Sequence, residues 1–133
     1  MRAAPTVPCN NDLLAGNFVD DGSQVWLIDY EYSGNNDACF ELGNTATECD
    51  LDDDQVEALV AAYFGEVRPE LLARVRLQSL VSEYGWSLWG SIQASASSLD
   101  FDFVGWGQER LDKAVATFRA PRFERLLDEV TGG

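Results

Sequence analysis

Apolar residues return at helical intervals through most of this chain, and give way to strand-like stretches in one place only. Phe18-Val19 and Val25-Trp26-Leu27-Ile28 flank Asp20-Asp21-Gly22-Ser23, and an Asp-Gly turn between apolar stretches predicts a β-hairpin. Behind the loop Ser33-Gly34-Asn35-Asn36-Asp37 a short helix is expected from Ala38 to about Thr47, with Asp37 placed to cap it. Asp52 and Gln55 have capping-box spacing, and Val56, Leu59, Val60, Tyr63 and Phe64 share one helical face before Gly65. Pro69 opens a longer helix, in which Leu72, Val75, Leu80, Tyr84, Leu88 and Ile92 recur up to about Ser95. Gly85 and Gly90 interrupt it beside Trp86 and Trp89. Glycine inside a helix costs about 1 kcal/mol relative to alanine, so this pair implies that bulky rings or a ligand need the room. After a loop through Ser97-Ser98-Leu99-Asp100-Phe101, helices are expected at about 104–118 and 121–130, and Gly132-Gly133 is expected to fray. The pattern is that of a single domain over residues 1–133, mainly α with one small β-hairpin.

Composition narrows the possible chemistry. A chain of 133 residues that is 46% hydrophobic is long and apolar enough to bury a core. Asp+Glu 23 against Lys+Arg 9 gives a net charge of -14, which repels phosphate backbones and anionic membranes and draws small cations. Nucleic acid is therefore excluded as a partner. No apolar run approaches the roughly 18 residues of a membrane helix, so membrane insertion is not expected. Met1 to Pro8 lacks the layout of a secretory signal. Cys9, Cys39 and Cys49 are an odd number without CxxC spacing, which fits free thiols and a cytoplasmic location. The chain has no histidine, which removes imidazole-based catalysis and leaves the work to carboxylates.

The carboxylates that matter stand around the hairpin. Asp12, Asn17 five positions on, and Asp29 at the end of the second strand reproduce the spacing with which kinase-type sites place a base and two magnesium ligands. Folding the hairpin back brings all three to one end of it. Asp12 would orient and deprotonate an attacking hydroxyl, Asn17 and Asp29 would hold Mg²⁺, and Glu31 could hold a second metal or its waters. Trp86 and Trp89 share a helix face, while Phe101 and Trp106 follow the next turn and can close over it. Aromatic walls of this kind hold a quaternary ammonium, each ring contributing about 0.5 to 2 kcal/mol.

These segments, in this order, resemble the carboxy-terminal lobe of choline/ethanolamine kinases, relatives of the aminoglycoside phosphotransferases within the protein-kinase-like fold. Cys9 to Asn17 resembles the family's catalytic loop, C-H-N-D-x4-N, and Ile28-Asp29-Tyr30-Glu31-Tyr32 its metal-binding segment. Phe40-Glu41-Leu42-Gly43-Asn44, with Glu48, is similar to its F-D-[IL]-[GA]-N-x3-E helix. The run from Tyr84-Gly85-Trp86-Ser87-Leu88-Trp89 to Leu99-Asp100-Phe101 is similar to the tryptophan-rich stretch of choline kinases, which the aminoglycoside relatives lack. The resemblance implies a catalytic loop at 9–18, a metal-binding segment at 27–32 and an aromatic choline pocket within 84–106. It adds Tyr32 to the aromatic wall and Glu48 as a negative charge beside the trimethylammonium. It also implies ATP as phosphoryl donor, Mg²⁺ as cofactor, a small cationic amino alcohol as substrate and a role in phospholipid precursor metabolism.

Two departures stand beside the likeness. Asn10 occupies the loop-support position where the family carries histidine, and asparagine is expected to retain a hydrogen bond but not the ring packing that holds Asp12. No glycine-rich loop precedes Asp12, and no lysine with a helical glutamate partner is present, so the amino-terminal nucleotide lobe is expected to be absent. The chain alone is then expected to be inactive, and the face such a lobe covers would meet a partner or a second copy. Three readings follow. The first is a phosphotransferase lobe acting on the hydroxyl of choline or a relative; the second is a non-catalytic lobe that binds quaternary ammonium; the third is an aminoglycoside-type phosphotransferase.

Overall fold

One helix of 28 residues, α3 (Pro69–Ala96), forms the axis against which the other helices pack, and the computed structural model describes residues 5–131 around it. Gly132-Gly133, expected to fray, lie outside the described residues. Strand β1 (Thr6–Cys9) leads through a loop and a short 3-10 turn, Ala15–Asn17, into the hairpin β2 (Phe18–Asp20) and β3 (Val25–Leu27). Strand β4 (Gly34–Asp37) then runs directly into α1 (Ala38–Glu48). Helices α2 (Asp53–Phe64), α3, α4 (Phe103–Arg119) and α5 (Arg122–Thr131) complete the described chain. No helix among the described residues is long and apolar enough to cross a membrane.

Local sequence accounts for the helix ends. The Asp37 carboxylate accepts the N–H of Cys39 at 2.9 Å and is also paired with Arg74 of α3, so the cap of α1 is tied to the central helix. Asp52 and Gln55 exchange side-chain to backbone hydrogen bonds, both 2.9 Å, in a complete capping box that opens α2. Asp102 caps α4 by accepting the N–H of Gly105 at 2.8 Å.

The mostly helical architecture agrees with the sequence pattern, and the hairpin pairs Phe18 with Leu27 and Asp20 with Val25. Its loop folds around Asp21, whose carboxylate accepts from the Ser23 hydroxyl and from the indole N–H of Trp26. Those hydrogen bonds hold Asp21 well below the usual carboxylate range. The single-hairpin expectation needs one correction. Gly34–Asp37, expected as loop, pairs antiparallel with β1, so two two-stranded sheets are present among the described residues. A Gly-Asn-Asn-Asp run has low strand propensity, and its pairing is made by a partner far upstream rather than by local preference.

The core lies between α1, α2 and α3, where Cys39, Leu42 and Ala46 meet Val56, Val60, Leu72 and Val75. On the opposite side of α3, Ala73 and Leu77 pack against Leu126 of α5. Apolar residues of the hairpin, Val25, Trp26 and Ile28, remain exposed. The α1–α3 crossing depends on Gly43: a Cβ there would stand 2.6 Å from the backbone N of Ser79 and 2.7 Å from the carbonyl O of Val75. At the α3–α4 crossing Gly90 plays the same part against the Cα of Gly107 and the ring of Trp106, each 3.1 Å from its would-be Cβ. Room for a ring therefore explains Gly90. It does not explain Gly85, whose Cβ position has nothing within 4 Å.

The two kinds of glycine predict opposite outcomes in urea unfolding. Gly43→Ala forces two backbones apart and should lose about 2 kcal/mol or more, whereas Gly85→Ala meets no obstacle and should gain about 0.5 to 1 kcal/mol from reduced chain entropy. A neutral Gly43→Ala variant would contradict the close crossing.

Candidate functional site

Helix α1 holds the loop that carries Asp12. The two carboxylate oxygens of Glu41, in its first turn, accept the backbone N–H groups of Asn10 at 2.6 Å and Asn11 at 2.8 Å. Asn11 adopts a left-handed backbone, φ 66°, which asparagine tolerates better than most residues. Its side chain accepts from Asn36 at 2.8 Å and donates to the carbonyl of Tyr32 at 3.0 Å, joining the loop to the strand that follows. Asn10 is buried and spans two segments: its Nδ2 donates to the carbonyl of Asp29 at 2.7 Å and its Oδ1 accepts the N–H of Asp12 at 2.9 Å. The side chain expected to weaken the hold on Asp12 thus retains two hydrogen bonds across the loop.

The expected metal ligands stand beside Asp12. Asn17 is buried and donates its amide to the carbonyl of Asp12 at 2.9 Å, which leaves its own carbonyl oxygen free to act as a ligand. Asp29, two residues after the end of β3, sits at φ 63°, and its Oδ1 accepts the N–H of Glu31 at 3.3 Å. Among the described residues no group of three or more His, Cys, Asp or Glu is gathered closely enough to hold a metal by itself. The available donors are all hard oxygens, two carboxylates and one carboxamide. This fits Mg²⁺, which typically takes one or two protein carboxylates and completes its shell with water and phosphate oxygens.

Across the loop from these groups, Asp12, Leu14, Tyr32, Glu48, Trp86, Trp89 and Trp106 line a cavity of about 140 Å³. Its aromatic rings form a chain of edge-to-face contacts: Tyr32 to Trp86 at 5.8 Å, Trp86 to Trp89 at 5.7 Å, and Trp89 to Trp106 at 5.5 Å between centroids. Partial burial pushes the Asp12 carboxyl above its usual range, and repulsion from Glu48, Asp29 and Glu31 pushes the same way. Phe101 stands outside this wall. It is 53% exposed and packs on Phe103, which in turn meets Trp89. Its place is one ring removed from the cavity, because α4 begins at Phe103 and carries Trp106, not Phe101, toward the tryptophans.

Three residues central to this geometry had no role in the sequence reading beyond their place in a motif or helix. Asn44 is fully buried. Its Oδ1 accepts from the Trp86 indole N–H at 2.8 Å and from the Ser82 hydroxyl at 2.7 Å, and its Nδ2 donates to the carbonyl of Asn11 at 3.4 Å. It thereby ties the aromatic wall to the loop of Asp12. A polar residue on the apolar side of α1, between Leu42 and Ala46, was the available signal for it. Glu41 stands in the first turn of α1, where an acid also suits the helix dipole. Arg110 lies one turn after Trp106; its Nη2 donates to both oxygens of Glu48, at 2.9 and 3.0 Å, and its guanidinium lies 3.7 Å from the centre of the Trp106 ring.

Known proteins resemble this chain in sequence and in fold. The profile of a family described as choline/ethanolamine kinase matches residues 2–63. Ethanolamine kinase 1 of Homo sapiens is 32% identical over 83% of this chain and 30% of its own length. The probable ethanolamine kinase A of Dictyostelium discoideum is 31% identical over 86% of the chain and 38% of its own. Among solved structures, a choline/ethanolamine kinase family protein from Mesorhizobium loti superposes with a TM-score of 0.90 at 35% identity, covering 99% of this chain and 45% of that protein. The chain spans about a third of the length of the curated relatives it matches.

Two predictions follow from the geometry. Asn44→Ala leaves the buried Ser82 hydroxyl and the Trp86 N–H without an acceptor, so it should cost about 2 to 4 kcal/mol in denaturant unfolding and shift the tryptophan emission. Asp12 has a raised native pKa, so the folded state binds its proton more tightly than the unfolded state and stability falls as pH rises through the carboxylate range. Asp12→Asn should therefore raise the melting temperature at neutral pH, with the gain vanishing as pH drops below that range; a gain that persists in acid would exclude the electrostatic cause.

Proposed function

The chain belongs to the choline/ethanolamine kinase family, and on that premise we propose that it supplies the catalytic loop and the ammonium pocket of an ATP-dependent phosphotransferase acting on the hydroxyl of choline or a closely related amino alcohol. The observation that carries this reading is that Asp12 lines the same cavity as Tyr32, Trp86, Trp89 and Trp106. A substrate whose cationic head rests on the aromatic rings presents its hydroxyl, two carbons away, to that carboxylate.

In this reading Asp12 accepts the proton of the substrate hydroxyl as the oxygen bonds to the γ-phosphorus of ATP and the bond to ADP breaks. Its raised pKa, away from the ordinary carboxylate range and toward neutrality, makes it a better base than an exposed aspartate. Asn10 and Glu41 keep the loop from drifting, which matters because misplacement of about 1 Å can cost about a hundredfold in rate. Mg²⁺ would be held by Asn17 and Asp29, with Glu31 on its waters, and when bound it offsets the charge of the phosphates. The aromatic faces attract the ammonium while the acidic surface raises its local concentration.

Titration with choline should quench tryptophan fluorescence of the chain, and Trp86→Ala should weaken the affinity by about 1 kcal/mol or more. Asp12→Ala should leave binding nearly intact and abolish phosphoryl transfer in a protein that also carries a nucleotide-holding lobe. Unchanged affinity in the tryptophan variant would defeat the pocket assignment. Choline binding without choline-coupled ATP hydrolysis in such a protein would favour a binding module over an enzyme.

A further inference from the structure

Helix α3 turns outward a face that carries no charge. Between Gln78 and Ala96 its one charged residue is Glu83, in a chain with 23 acidic side chains, and the Glu83 carboxylate is spent inward on the Thr47 hydroxyl of α1, at 2.9 Å. Helix α1 also bonds to Ser79, Ser82 and Trp86 on that side of α3. On the other side Val81, Tyr84, Leu88 and Ile92 recur at intervals of three and four residues and are 48% to 61% exposed. The solvent side of a helix ordinarily carries polar and charged residues. Here two grooves of about 400 and 450 Å³ lie between α3 and α4, share Tyr84 and Leu111, and have no charged side chain in their walls.

Gly85 lies in the middle of this face, one helical turn after Val81 and one before Leu88. At both close helix crossings of the fold a glycine stands at the contact, Gly43 of α1 against α3 and Gly90 of α3 against Gly107 of α4. Gly85 repeats that device on an open surface, with nothing within 4 Å of its would-be Cβ. Glycine weakens a helix interior unless close approach requires it. The described residues supply no such approach at Gly85, so a third crossing would need its second helix from another molecule.

We propose that α3 pairs with α3 of a second copy of this chain, crossing at Gly85, in a two-fold symmetric dimer. A two-fold axis sets a surface against itself, so the partner brings the same apolar residues and the same glycine, and the two backbones can approach as α1 and α3 do at Gly43. An unlike partner is selected by charge and hydrogen bonds, and this uncharged face offers little of either. With Val104 and Phe118 of α4 at its edge, the face leaves on the order of 600 Å² of apolar surface open, at the upper end for a monomer and near the roughly 800 Å² each partner buries in a standard interface. The net charge of -14 opposes association at long range, and physiological salt screens it. The pairing is independent of what the aromatic cavity binds.

Sedimentation velocity of the chain in physiological salt tests the pairing. At about 100 µM the mass should be twice 14.7 kDa, falling toward a single copy on dilution. Leu88→Lys, with its fold checked by circular dichroism, should weaken the dimer about a hundredfold even though it lowers the net negative charge. Val25→Lys makes the same change of charge at an exposed apolar residue of the hairpin and should leave the dimer intact. Gly85→Ala should weaken association about tenfold while gaining stability in urea at concentrations where the chain is monomeric, a split that a purely local role for Gly85 would not produce. A wild-type chain that stays monomeric at about 100 µM assigns the face to another occupant and overturns the proposal. So does a dimer that Leu88→Lys and Gly85→Ala leave unchanged, or one that Val25→Lys disrupts as strongly as Leu88→Lys.

Discussion

Two N–H···O bonds to one carboxylate hold the functional end of this protein together. Glu41 accepts from the backbones of Asn10 and Asn11, residues 31 and 30 positions away in the chain, and so converts a loop without regular structure into a fixed extension of α1. A charged acceptor with partly buried donors makes each bond stronger than a neutral one, and both oxygens are used. With the loop fixed there, Asn10 reaches the carbonyl of Asp29 and the N–H of Asp12 together, and Asn17 reaches the Asp12 carbonyl, so Asp12, Asn17 and Asp29 are held side by side.

The same helix governs the other half of the site. Gly43 lets α1 approach the backbone of α3, and at that distance Asn44 can accept from Trp86 and Ser82 while reaching back to Asn11. Close packing at Gly90 and Gly107 then brings α4 near enough for Trp106 to meet Trp89. The aromatic wall is therefore a product of two tight helix crossings and one buried amide. Because a buried polar network costs stability when any member is missing, its parts constrain one another and leave the rings little freedom to repack.

Much of the framework was legible from sequence because its signals are local. The Asp37 cap, the Asp52–Gln55 capping box, Pro69 at the start of α3 and the Asp-Gly turn each involve residues a few positions apart, whose preferences act before any tertiary contact forms. Strand β4 was not legible, since Asn35 and Asn36 favour turns and only β1 makes them a strand. Phe101 was placed in the aromatic wall by proximity in sequence, whereas the start of α4 turns it onto Phe103 instead.

The sequence by itself determined the family, the order of the elements and the residue types brought together: a carboxylate at Asp12, side-chain oxygens at Asn17 and Asp29, and tryptophans at helical spacing. Tertiary structure alone decided how those groups are held. The bonds from Glu41 to the loop, the bracket at Asn44 and the Arg110 clamp on Glu48 join residues 30 or more positions apart. No local preference encodes such pairs. The Glu41 pair exists because β1 pairs with β4, which runs directly into α1, and the Asn44 and Arg110 pairs because the helix crossings at Gly43 and Gly90 bring the side chains within hydrogen-bond reach, where leaving any of them buried and unpaired costs more than ordering them.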